Sequence, residues 1–126
     1  MENQAAQLKD RTKRFAVQVI TMFRALPRTD EARILGRQLL RAAMSVAANY
    51  RAVCRARSRA EFVAKLGVVV EEADETVFWL EVLVESGVIQ NKLAEALTRE
   101  ANELLAIFAA SHHTAKVTGP SGKMKK

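Results

Sequence analysis

The stretch Gln38–Tyr50, QLLRAAMSVAANY, decides how this chain folds. Leu39, Ala42, Val46 and, further on, Val53 step by 3, 4 and 7 residues, the spacing of one face of an α-helix. Ser45 and Asn49 add polar atoms at or beside that seam. Arg33, Arg37, Arg41, Arg51 and Arg55 follow the opposite side. At about 100° per residue the arginines stand roughly 180° from the apolar seam. One helix therefore buries one face and turns a basic rail outward.

Working outward, the rest of the chain reads as three further helices. The first spans about residues 5–26, with Leu8, Phe15, Val19, Met22 and Leu26 inward, and Pro27 stops it. Thr29 or Asp30 caps the second, about 31–56. Ser58 and Glu61 form an S-x-x-E capping box for the third, about 59–86. Its seam is Phe62, Leu66, Val69, Ala73, Thr76 or Val77, Leu80, Leu83 and Gly87, a 3,4 alternation suited to bundle packing. Ser86-Gly87 ends it. Asn91 caps the fourth, about 91–112, with Leu93, Leu97, Ala101, Leu104 and Phe108 inward. The single glycines Gly36 and Gly67 read as points of close helix approach, and Asn49 as a buried polar residue that fixes helix register. Residues 114–126, TAKVTGPSGKMKK, lack periodicity and read as a disordered basic tail. The expected fold is all-α: one antiparallel up-down four-helix bundle over residues 1–113.

The chain has 126 residues and a formal net charge of +6, unevenly spread. Residues 1–60 carry 13 Lys/Arg against 4 Asp/Glu, and residues 61–126 carry 7 against 10. Such asymmetry suits an anionic partner, most simply nucleic acid, or two faces that neutralise each other within or between subunits. Cys54 is the only cysteine, which excludes an intrachain disulfide. Charged residues from Lys9 to Arg14 stand where a signal peptide needs an apolar run, and no apolar run is long enough to span a bilayer. A cytoplasmic location is expected.

Chemistry is hard to find. Glu71, Glu72, Asp74 and Glu75 cluster, but di-iron bundles need Glu-x-x-His on two helices, and the only histidines are the adjacent His112 and His113. Ion pairs to arginine are the expected role of these carboxylates. Cys54 lies beside Arg51 and Arg55 without a neighbouring base, Ser45 has no nucleophile-elbow context, and no glycine-rich phosphate loop is present. No enzyme activity, metal or cofactor is expected. The arginines carry the functional reading: Arg33, Arg37, Arg41, Arg51 and Arg55, extended by Arg57 and Arg59, suit bidentate phosphate contacts. With few aromatics beside them, backbone recognition is favoured over base reading.

The third helix is apolar on more than one side. Val68, Phe78, Trp79 and Val82 point away from its seam, and Glu71 and Glu75 share that outer face. Exposed apolar patches mark contact sites, so a homo-oligomer interface is expected, with the two glutamates meeting the arginine rail of a neighbouring subunit. The alternative places Trp79 beneath helix four or the tail.

At these residues the chain resembles the bacterial 23S rRNA-intervening sequence protein family, whose helix two has the form Q-L-x-R-A-A-x-S-[IV]-x-x-N, followed by a connection with Ser and then E-F. Gln38, Leu39, Arg41, Ala42, Ala43, Ser45, Val46 and Asn49 match, then Ser58, Glu61 and Phe62. Glu71–Glu81, EEADETVFWLE, looks like a variant of the family's helix three. The resemblance covers about residues 12–112. Many members follow the Asn with I-A-E-G; here Tyr50, Arg51, Ala52 and Val53 stand instead, which suggests a subfamily. The resemblance implies a ring-shaped homopentamer with a basic surface, and similarity to retroelement accessory proteins that bind nucleic acid and assist a reverse transcriptase. The leading expectation is a non-enzymatic, oligomeric RNA- or DNA-backbone-binding accessory protein. The rival is a protein-binding scaffold that docks a partner such as a reverse transcriptase and does not touch nucleic acid.

Overall fold

A computed structural model describes residues 3–118. These form four helices: α1 (Gln4–Arg24), α2 (Asp30–Val53), α3 (Arg59–Glu85) and α4 (Lys92–Val117). No strand occurs among the described residues. Each helix packs against its sequence neighbour, and α1 closes the ring against α4, whereas the backbones of the diagonal pairs α1–α3 and α2–α4 stay apart. With short connections, that pattern is the antiparallel up-down bundle. No helix of the described residues is long and apolar enough to cross a membrane.

The helix starts follow from side-chain caps. Asn3, Thr29, Ser58 and Asn91 each accept a hydrogen bond from a backbone N–H three residues on. Thr29 rather than Asp30 therefore caps α2, leaving Asp30 and Glu31 in its first turn, where negative charge complements the helix dipole. Glu61 completes its box one residue early, with Oε1 accepting from the Arg57 N–H at 2.8 Å. Gly87 is not part of the α3 seam. It lies past the helix end at φ +79°, a left-handed conformation that suits glycine, and its N–H donates to the Val84 carbonyl.

The core forms where the four seams meet. Met22, Leu39, Leu66, Leu80, Leu83, Leu97, Leu104 and Phe108 are fully buried. Tyr50 packs on Phe108 with ring centroids 5.1 Å apart, and its burial, then the nearby Cys54 thiol, pushes its phenol up to about 12. Helix α3 makes the two most extensive contacts, with α2 and with α4, so its many valines line two interfaces. Contact between α1 and α4 is the thinnest. There Arg11 grips Glu100 with two hydrogen bonds, of 2.7 and 2.8 Å, and also pairs with Glu103.

Both glycines read as close contacts are so. A Cβ on Gly36 would lie 2.6 Å from Leu26 Cδ1 and 2.9 Å from Phe23 Cδ1, and one on Gly67 would lie 3.1 Å from His112 Nε2. Three expectations need correction. Asn49 fixes no register across helices: it is half-buried, and its Nδ2 donates to the Ser45 carbonyl and Oγ of its own helix. Helix α2 stops at Val53, and Arg55 and Ala56 tighten into i→i−3 turns. Helix α4 runs to Val117, past residue 112, because Ala115 lies seven residues after Phe108 and is buried on the same seam. The expected tail thus loses residues 114–117 to the helix, and 119–126 fall outside the described residues.

Candidate nucleic-acid interface

The outer side of α2 is built by the same periodicity that fills the core. With the Leu39–Val46–Val53 seam buried, Arg33, Arg37, Arg41, Arg51 and Arg55 are all exposed. Arg57 and Arg59, at the α2–α3 connection, are exposed too. Among the described residues, Arg33, Arg37, Arg51, Arg55, Arg57 and Arg59 form no side-chain ion pair. Their guanidinium groups remain open to an external anion.

Arg41 is different. Its Nη1 lies 3.2 Å from Glu72 Oε1, and its Nη2 pairs with Glu75 Oε2. The hydrogen bond it donates to Glu75, reinforced by Glu72, makes the guanidinium bind its proton more tightly than usual. The Trp79 indole N–H donates to the same Glu75 oxygen at 3.1 Å. That bond, and then Arg41, hold the Glu75 carboxyl below its ordinary value. The rail is consequently interrupted at its middle by a link between α2 and α3.

This link changes the reading of α3 as well. Glu75 meets an arginine of its own chain, so the expected pairing with a neighbour's rail is not what occupies it. Trp79 is half-buried against the core, on the flank that carries Glu72 and Glu75 toward α2, and not beneath α4. Val82 is half-buried. Phe78, at 52% exposure, and Val68, at 40%, do face outward, with Glu71 exposed between them. Phe78 meets the Trp79 ring edge-on at 4.9 Å, so the tryptophan braces it from below. Of the acidic cluster, Glu72 and Glu75 serve Arg41, while Glu71 and Asp74 are exposed.

Two shallow pockets mark the two ends of α2. One, of about 160 Å³, is lined by Phe23, Arg24, Leu26, Pro27, Arg28 and Arg33. The other, of about 400 Å³, is lined by Ala52, Arg55, Arg57, Glu61 and Lys65. Arg24, Arg28 and Lys65 escaped the sequence reading, because they lie on other elements and join the α2 arginines only when the helices pack. The flanking of Pro27 by Arg24 and Arg28 was the available signal.

The defining pattern of the 23S rRNA-intervening sequence proteins matches residues 4–110, nearly the whole bundle. The chain belongs to that family. A crystal structure of a protein of unknown function from the S23 ribosomal protein family of Bacteroides thetaiotaomicron superposes with a TM-score of 0.77. It is 28% identical and covers 88% of this chain and 99% of its own. No curated protein matches the chain. The family match spans all four helices and so includes the whole α2 face, whereas the basic C-terminal residues lie beyond it.

Proposed function

We propose that this family member is a non-enzymatic, oligomeric accessory protein that binds the phosphate backbone of nucleic acid through the outer face of α2. The observation that carries this reading is the set of exposed arginines on α2 and the α2–α3 connection that no carboxylate of the described residues neutralises. Guanidinium groups match phosphate geometry, and the absence of exposed aromatic rings on α2 favours backbone contact over base stacking. The family's link by name to 23S rRNA is consistent with an RNA target. Assembly into a ring, a pentamer by family resemblance, would repeat the basic face around an axis, in the cytoplasm where such targets lie.

Fluorescence anisotropy with labelled RNA and DNA, at several salt concentrations, tests the reading. Micromolar or tighter binding is expected, with a steep salt slope. Reversing Arg37→Glu together with Arg55→Glu removes two phosphate contacts, so the log–log salt slope should fall by about 2 and affinity by on the order of 100-fold. Unchanged affinity in a correctly folded double variant overturns the proposal. A second reading rests on exposed Phe78 and Val68: a scaffold whose α3 face docks a protein such as a reverse transcriptase, and whose purified form ignores nucleic acid.

A further inference from the structure

We infer that the ligand of the α2 face is a nucleic-acid duplex, whose two backbones sit on the two ends of the helix while the groove between them faces its middle. The inference rests on the phosphate-binding reading above and deepens it by naming the substrate class.

The arginines form two groups. Arg33 and Arg37 stand near the start of α2, where Arg33 shares a pocket with Arg24 and Arg28. Arg51 and Arg55 stand at its end, where Arg55 shares a pocket with Arg57 and with Lys65, which lies 3.8 Å from Glu61. Arg37 and Arg51 are fourteen residues apart, so at about 1.5 Å per residue the helix carries them about 21 Å apart. Fourteen residues is also close to four turns, which leaves both on the same side of the helix.

The middle of this face repels phosphate. Its only arginine, Arg41, is held by Glu72 and Glu75. Met44 and Ala48 supply the rest of its surface, one half-buried and one small and exposed. A single strand laid along α2 carries a phosphate at every nucleotide and so places several over this stretch, beside carboxylates. Along α2 itself it finds no ring to stack on, since Tyr50, the only aromatic residue of α2, is buried, and the half-buried Phe23 of α1 lies at one end only. A duplex presents a different pattern: two lines of phosphate separated by a groove free of them. The major groove of B-DNA is about 12 Å wide, and the phosphate groups that bound it add to the span between backbones. Two basic ends about 21 Å apart fit that pattern, and a low middle lets the groove edges come close.

The test compares a 20-base-pair duplex, as DNA and as RNA, with its separated strands by fluorescence anisotropy at the same series of salt concentrations. The duplex should bind on the order of tenfold more tightly, with the steeper salt slope. Two variants localise the effect: Arg33→Gln with Arg37→Gln, and Arg51→Gln with Arg55→Gln. All four positions are exposed, so both variants should melt as the parent does. Either pair alone should remove the duplex preference, because one remaining cluster engages one backbone. Strands that bind as well as the duplex, or a preference that survives loss of a whole cluster, overturn the inference and leave the phosphate-binding reading standing. Absence of binding to every probe at low salt overturns that reading itself.

Discussion

The outer faces of α2 and α3 lie side by side on the same bundle, run antiparallel and are similarly exposed, yet they have opposite chemistry. The α2 face is basic and lacks large apolar groups at its middle. The α3 face carries Glu71, Asp74, Glu81 and Glu85 around exposed Phe78 and Val68. They are joined at one place, where Arg41 takes Glu72 and Glu75. The charge asymmetry of the sequence is thus neither a simple dipole nor a self-neutralised surface. The α2 and α3 faces share a single stitch, and Arg11 with Glu100 and Glu103 is a second link between the basic and acidic halves, on the α1–α4 side.

The largest way to break that comparison acts on α3. If the α3 face joins subunits, Phe78→Glu puts a charge where an aromatic anchor should be buried. Burial of a Phe side chain contributes about 1.5–3 kcal/mol, and truncating an interface anchor costs about 2 kcal/mol or more per contact. Light scattering should show the assembly fall apart to smaller species, while far-ultraviolet circular dichroism still reports a folded helical bundle, because Phe78 is outside the core. An intact assembly would remove Phe78 from the interface and assign the α3 face to another partner. Trp79→Ala is the poorer probe, since Trp79 packs on the core and its loss weakens the bundle too.

The next effect sharpens the α2 side. Gly36 lets the end of α1, with Leu26 and Phe23, lie directly on α2, and so holds Arg24 and Arg28 beside Arg33. Gly36→Val inserts a branched side chain where even a Cβ meets Leu26 at 2.6 Å. Overpacking of this kind costs about 1–3 kcal/mol. Urea unfolding should show a lower midpoint at unchanged slope, and nucleic-acid affinity should fall because the cluster at the start of α2 spreads apart. Stability equal to the parent would mean that the α1 end yields freely and that the cluster needs no such support.

These two faces were unequally legible in the sequence. Periodicity placed the seams, and with them the fold, since residues such as Leu39, Val46, Leu66 and Phe108 repeat at helical spacing and have no other way to leave water. It also placed the arginines outside, because a helix that buries one side must expose the other. It did not reveal which charges meet. Arg41 and Glu75 are 34 residues apart, and their contact depends on how α2 is rotated and shifted against α3, which a pattern within one helix does not encode. Arg11 and Glu100 are hidden for the same reason. Helix ends were read where a cap announces them, at Ser58 and Asn91, and misread at the end of α4, where Ala115 is too small to stand out as a seam residue.

The smallest predicted effect is the most discriminating, because it separates two arginines one turn apart. Arg37 and Arg41 are both exposed and share a side of α2, but only Arg41 is bound to carboxylates. Arg41→Ala removes two surface ion pairs, each stabilising by about 0–1 kcal/mol, so the melting temperature should drop only slightly. Nucleic-acid affinity should change by about twofold at most, since the lost cation was already neutralised and contributes little to counterion release. Arg37→Ala should leave stability unchanged and lower the salt slope by about 1. Equal losses of affinity at the two positions would mean that phosphate displaces Glu72 and Glu75 from Arg41. The rail would then be continuous when ligand is bound, and the two-cluster arrangement would belong to the free protein alone.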